Sequence, residues 1–359
     1  MALLYDRKYS LVIGKPSTME DRFDTLVIRD GTSVPVFQQE GVDYRTTNKL
    51  NAVEITDLQI QVSIKGNATS SASSGGCVIK IFNMAKSTRE IVETLNGYVI
   101  LSAGYAGEGK LPLIFSGQVE NFDTRRSGEN LITELHCKEG YSVNGSIKVT
   151  KSFPRTSTYG DVLHYLAGIY EENGIPTGDI VDDWSGEEAG DRSTKLILSK
   201  GVLGNKVLAA KADPQDYEQI PVLLKRPANT PLLGGYSVMG YLSQALEKVC
   251  SQMGYVSYIT NSRLFIHPKG YTRTVEEFEF SSKQMKSIRK MGSKTGGGSQ
   301  GKGVDGIKIT TFLDGRLDID KRVRIMDGEY AGSYKILTKA YNLDYEQGSW
   351  DTVVTCKQV

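Results

Sequence analysis

Histidine is scarce in this chain: its 359 residues include only His136, His164 and His267. Histidine is the side chain that titrates nearest neutral pH, so acid–base chemistry has few candidates. Cysteine is scarce too. Cys77, Cys137, Cys250 and Cys356 lie far apart and form no CxxC pair or Cys/His cluster, which argues against a zinc or redox centre and fits folding in a reduced, intracellular place. Neither sign of charge is in excess, with 43 Lys plus Arg against 42 Asp plus Glu and a pI of about 7.6, so no net field draws polyanions or an anionic membrane surface. No apolar run approaches the roughly 20 residues of a spanning helix. Asp6, Arg7 and Lys8 interrupt what would be a signal peptide's apolar core, so export by that route is not expected. Tryptophan (2) and phenylalanine (10) are few beside 19 Tyr and 38 Gly, a balance suited to a turn-rich β protein.

The length predicts two or three domains, since a compact domain holds roughly 100 to 200 residues. Residues 1–147 read as β: strands are expected at Arg7–Ile13, Phe23–Ile28 and Val53–Lys65. In the last of these Leu58, Ile60, Val62 and Ile64 alternate with polar residues. The small, polar segment Gly66–Gly76 reads as a long loop. A strand at Cys77–Met84 and a short helix at Ser87–Leu95, capped by Thr88, follow. Pro112 suits a strand start, and the turn formers between Val119 and Leu131 make a long hairpin.

Residues 148–290 read as an α/β middle region. Val162, Leu163, Leu166, Ile169 and Tyr170 fall at helical spacing, with Thr158 and Asp161 placed as a capping box and Gly174 at the end. A second helix is expected over Ser237–Met253, stopped by Gly254, then a hairpin of Tyr255–Ile259 and Leu264–His267. Residues 291–304 read as a Gly/Ser-rich linker. Residues 305–359 complete a second β unit, with strands at Ile307–Phe312 and Lys321–Ile325. Being short, that unit is expected to borrow strands, with Lys195–Leu208 as the candidate.

The stretch Tyr98–Lys138 recurs as Arg322–Lys357. Tyr105, Ala106 and Gly107 align with Tyr330, Ala331 and Gly332, Asn121 and Asp123 with Asn342 and Asp344, and Cys137 and Lys138 with Cys356 and Lys357. A β unit carried twice suggests assembly before it suggests chemistry. The fold class expected is therefore α+β, mostly β: two antiparallel β domains from an internal duplication, and a helix-containing middle.

Catalytic and binding readings find little support. His136 adjoins Cys137, but neighbouring strand residues point to opposite faces and cannot share a proton. His164 and His267 have no partner motif. Gly296, Gly301 and Lys302 resemble a phosphate loop, yet Gly303 stands where a hydroxyl is needed and a strand follows. Asp179, Asp182, Asp183, Glu187, Glu188 and Asp191 lack EF-hand spacing and read, with Trp184, as an acidic loop. Glu276 and Glu277 are a carboxylate pair whose separation a sequence cannot give. Lys283, Lys286, Arg289 and Lys290 form a basic face with no aromatics for base stacking. No catalytic, cofactor-binding or metal residue is assigned, and the protein is not expected to be an enzyme.

Asn83, Ser87 and Thr88, the strand end Ala103–Tyr105, and Ile114–Gly117, with the closing GSYKILTKA and WDTVVTC segments, resemble the baseplate hub proteins of long-tailed bacteriophages. The resemblance covers roughly the first 145 and last 60 residues. It implies two tail-tube-like β domains per chain and a homotrimeric ring of pseudo-sixfold symmetry. Such a ring joins the hexameric tail tube to the trimeric central spike, contacts other baseplate proteins, and leaves an axial channel for DNA as passing cargo. It also implies a virion tail protein made in the host cytoplasm. Alternatives are a tail-associated cell-wall hydrolase and, further off, a host-binding tail-tip protein; no lysozyme-like segment is present to support the first.

Overall fold

The computed structural model describes residues 6–14, 52–67, 75–95, 97–108, 111–175, 177–183, 194–197, 207–210, 231–268, 277–281, 284–291 and 306–359. The expected strand Phe23–Ile28 lies outside them. The first β unit contains β1 (Arg7–Gly14), β2 (Ala52–Ile55), β3 (Ile60–Asn67), β4 (Gly76–Phe82), helix α1 (Lys86–Leu95), β5 (Tyr98–Tyr105), β6 (Leu113–Ser127) and β7 (Asn130–Lys138). Bends at Asp57 and Leu58 divide the single strand expected over Val53–Lys65 into β2 and β3. Thr88 sits inside the first turn of α1, which starts at Lys86, and does not cap it. The turn between β6 and β7 narrows to Gly128 and Glu129, so most of the polar run after Val119 is strand.

The middle region contains α2 (Tyr141–Ser146), β8 (Lys148–Phe153), α3 (Tyr159–Glu172), β9 (Thr177–Asp183), β10 (Thr194–Ile197), β11 (Val207–Ala210), β12 (Tyr236–Tyr241), α4 (Leu242–Met253), β13 (Tyr255–Thr260) and β14 (Arg263–Pro268). Helix α3 has the expected capping box, Thr158 Oγ1 accepting from the Asp161 amide and Asp161 accepting from the Thr158 amide. Helix α4 starts five residues later than the periodicity predicts. Val238 is buried at either a helical or a period-two spacing, and Gly240 at φ 119° ends the helical reading there, inside β12. Gly254, at φ 76°, stops α4 as expected. The acidic stretch is strand as far as Asp183, because β9 pairs in parallel with β14 and antiparallel with β10. Asp191, Trp184, Glu187 and Glu188 lie outside the described residues.

The second β unit contains β15 (Glu277–Phe280), β16 (Met285–Met291), β17 (Gly306–Phe312), β18 (Arg322–Ile325), β19 (Gly332–Asp344) and β20 (Trp350–Gln358). It does not borrow Lys195–Leu208. Strands β10 and β11 complete the middle region's five-stranded sheet, in the order β11-β10-β9-β14-β13, and the second unit takes β15 and β16 instead. Of the linker expected at 291–304, Met291 is the last residue of β16 and the remainder lies outside the described residues; β17, the antiparallel neighbour of β16, starts at Gly306.

The β units form one 13-stranded sheet, β16-β17-β20-β19-β3-β4-β7-β6-β5-β1-β2, with β15 and β18 branching from β19. Within it β3-β4-β7-β6-β5-β1 repeats as β16-β17-β20-β19-β18-β15. Outer strands differ: β1 runs antiparallel to β5, whereas β15 runs parallel to β18.

A bulge marks the repeat to the residue. In β6–β7, Gln118 and Val119 face Lys138 and Cys137, one residue is skipped, and Asn121 faces His136. In β19–β20, Lys335 and Ile336 face Lys357 and Cys356, one residue is skipped, and Thr338 faces Thr355. Bulges are specific features that bend and retwist a strand, so two at one register position mark equivalence more firmly than strand count does. Cys137 therefore matches Cys356, as the sequence alignment has it, and Tyr98 matches Arg322. Asn121 matches Thr338, four residues from the expected Asn342. Tyr105 ends β5 while Tyr330 lies in the turn after β18, so that pairing is not structural.

Candidate functional site

The residues singled out by chemistry are not brought together. His136 is half-exposed on β7 beside Glu134 at 3.2 Å, while Cys137 points into the core, so the two occupy opposite faces. All four cysteines are free and buried. Burial pushes the Cys137, Cys250 and Cys356 thiols up to about 12, and Cys77 well above its ordinary value, so none offers a thiolate at neutral pH. Among the described residues no group of three His, Cys, Asp or Glu is placed to hold a metal ion. His164 lies on α3, and Glu277 lies on β15 with Arg324 at 4.0 Å. Lys286, Arg289 and Lys290 lie on the end strand β16, where Lys286 pairs with Asp351. Glu276, Lys283, Gly296, Gly301, Lys302 and Gly303 lie outside the described residues.

A different cluster, missed in the sequence, sits where the three regions meet. Asp318 and Asp320 lie between β17 and β18, and Lys335 and Lys339 on β19; Glu139 follows β7, and His267 lies on β14. Lys339 Nζ is 2.8 Å from Asp318 and donates to Thr260 Oγ1 at 2.9 Å. Asp320 lies 2.7 Å from Lys335 Nζ and 2.7 Å from His267 Nε2. Glu139 accepts from the Asn261 amide at 2.7 Å. The turn that enters this cluster has Asn261 and Ser262 at φ 49° and 55°, the left-handed pair of a tight hairpin turn, and Ser262 Oγ donates to the Ser116 carbonyl at 2.8 Å.

Burial alone would raise Asp320, but the charges of His267 and Lys335 and their hydrogen bonds outweigh it and hold the carboxyl below its ordinary range. For Glu139 burial wins over the Lys339 charge and the Asn261 amide, and its pKa rises to about 7. Every member is under a tenth exposed. Buried charges that are paired on all sides set geometry more than they add stability. The cluster's contacts tie the middle region to both β units. One sequence signal for it was available: Lys339 alternates with Tyr341 and Leu343 on the face that the strand pattern assigns to the core.

The seam between the β units is β3 against β19, Gln61 facing Asp344 through to Asn67 facing Thr338. Beneath it, Leu313, Tyr341, Leu343 and Trp350 join the first unit's core. Trp350 Nε1 donates to the Gly104 carbonyl at 3.3 Å, and Arg7 donates to the Asp344 carbonyl at 2.6 Å. The opposite face of the sheet is polar and crosses the seam without a break. Asn342, Ser63, Val78, His136 and Asn121 form one cross-strand row, and Asp344, Gln61, Lys80, Glu134 and Asp123 the next. A shallow groove of about 430 Å³ lies along these rows. Glu134 there is paired with Lys80 at 3.9 Å and Arg125 at 3.1 Å, and Asp344 accepts from Gln59 and Gln61.

No family model and no curated protein matches the chain. Solved structures do. The chain is similar to the tail protein of Neisseria meningitidis MC58 (10% identity, TM-score 0.48, covering 85% of this chain and 94% of that one). It is similar to the 43 kDa tail protein of prophage MuSo2 from Shewanella oneidensis (9% identity, TM-score 0.47, 85% and 94%). A type VI secretion system component of E. coli is a third neighbour (9% identity, TM-score 0.46, 84% and 73%).

Proposed function

We propose that this chain is a structural baseplate hub of a phage tail. In this reading three copies form a ring of six similar β units that joins a hexameric tail tube to a trimeric spike, with an axial channel between them. The observation that carries the reading is the repeat: two β units with one strand order, a bulge at one register position, and a single sheet running through both. A chain carrying two like units converts threefold into sixfold contacts, as an adaptor between those symmetries requires. The polar sheet face suits a channel wall past which DNA and protein slide without sticking, since its rows carry more carboxylates than lysines and present no basic field to retain phosphates. The chemistry agrees with a structural role, because the buried carboxylates are engaged by Lys, His or backbone partners.

Light scattering and negative-stain imaging of the purified chain test this. Trimers seen as threefold rings with a central hole are expected. A monomer that clears cell walls would overturn the reading in favour of a hydrolase.

A further inference from the structure

Within the chain, β19 lends its far half, Thr338–Asp344, to the edge of β3. The repeat identifies the counterparts of both edges. With the bulge as the register mark, Thr338–Asp344 corresponds to Asn121–Ser127 of β6. Strand β3 corresponds to β16: Val62, Ile64 and Lys65 face Ile79, Cys77 and Gly76, just as Ile288, Lys290 and Met291 face Ile309, Ile307 and Gly306. Among the described residues neither counterpart is paired on the matching side. Strand β6 meets β5 only through Leu113–Gln118, and β16 ends the 13-stranded sheet. Exposure follows the same division. Val62, Ile64, Tyr341 and Leu343 are buried at the seam, whereas their counterparts Ile288 and Thr124 are only half-buried and Lys290 and Arg126 are exposed.

We propose that Asn121–Ser127 of one copy pairs antiparallel with β16 of a second copy, so that the seam inside the chain recurs between chains. Closure after three copies rests on the hub reading above; the choice of edges rests on the pairing pattern alone. The two edges differ, so the contact is head-to-tail, the kind that closes into a ring when the rotation per step allows. An unpaired strand edge is a template for another strand, and bulges and lysines blunt it against wrong partners. Strand β16 has both, a register shift next to Lys286 and the charges of Arg289 and Lys290. Carrying the register over unchanged sets Arg125 opposite Arg289, and like charges directly opposite are unfavourable. Sliding by two residues keeps every side chain on its face and sets Asp123 opposite Arg289 instead. That is the register we assign.

Cysteine cross-linking tests the contact. In the assigned register Arg125 and Ser287 are opposite, and in the unshifted one they are diagonal neighbours. A short bis-maleimide on the full-length Arg125→Cys/Ser287→Cys double variant therefore reaches across either. Covalent dimers and trimers are expected from the double variant and none from either single variant or the parent, whose own cysteines are buried. Cross-links in a single variant would mean that like edges meet in a twofold contact, and would overturn the proposal. A trimer by light scattering that stays uncross-linked would overturn the edge pairing and leave the ring reading standing. An uncross-linked monomer would overturn both.

Discussion

Lys339 is the charge that the junction cannot lose. It neutralises Asp318, donates to Thr260 and lowers the pKa of Glu139, with about 4% of its own surface exposed. Removing one partner of a buried pair leaves the other uncompensated, at a cost of about 3–5 kcal/mol. Lys339→Met should therefore lower the unfolding free energy by that amount in urea titrations, while Lys80→Met on the open sheet face should change it by less than about 1 kcal/mol. Glu139 gives the junction a pH signature. Its pKa is about 7 folded against an ordinary 4.5, so between those values the native state binds more protons than the unfolded one. Its contribution is complete below pH 4.5 and is lost as the pH rises through about 7. Asp320 has the opposite sign: held low, it contributes above its ordinary 3.8 and loses that contribution as the pH falls below it. Glu139→Gln should flatten the melting temperature between pH 4.5 and 7 and leave the acid limb intact; an unchanged profile would show that Glu139 does not titrate there. None of this was readable in the sequence beyond Lys339 falling on an apolar face, since the partners lie 21 residues upstream of it or on other elements.

At the scale of elements, Gly117 at the end of the IFSG segment limits how closely β6 approaches its neighbours. A Cβ there would lie 2.6 Å from the Phe115 ring and 2.8 Å from the Lys138 carbonyl, just before the bulge. Backbone cannot yield as a flexible side chain can, so Gly117→Val should cost about 1–3 kcal/mol, measured by thermal melts, whereas Gly145→Val meets nothing within 4 Å and should cost less than that. The elements themselves were largely legible. Strand-like runs located β1, β3, β4, β7, β13 and β14, with alternation marking β3 and β7, and the capping box located α3, because these signals are local. The misreadings share one cause. Over Ser237–Tyr241 helix and strand place Val238 alike, and only pairing with β8 decides between them. The acidic residues of β9 belong to a strand because β14 and β10 lie alongside it, a non-local fact. The repeat was visible at its two ends, Tyr98 with Arg322 and Lys138 with Lys357. Between them loops of unequal length moved the alignment four residues off the register that the bulges set.

For the whole molecule, the shared sheet predicts which pieces stand alone. Among the described residues, the main core of the middle region runs from Val143 to Ile266 and draws on no strand of either β unit, and only the small cluster of Tyr258 and Phe265 packs on Ile319 of the second unit. The first unit is different: Leu313, Tyr341, Leu343 and Trp350 of the second unit belong to its core. Burying each such side chain stabilises by about 1.5–3 kcal/mol, so losing all four costs roughly 6–12 kcal/mol. That is comparable with the whole stability of a typical domain, about 5–15 kcal/mol. The fragment 1–147 would in addition expose β3 as a bare apolar edge, a template for aggregation. Expressed alone, 1–147 should be insoluble or molten, while 141–268 should be monomeric and melt cooperatively by circular dichroism. Co-expression of 1–147 with 277–359 should restore a soluble complex, because the second fragment supplies both β19 and the four missing side chains. If 1–147 by itself were a soluble monomer with a sharp melt, the two units would be independent domains that merely touch. The seam could then not serve as the pattern for contacts between chains.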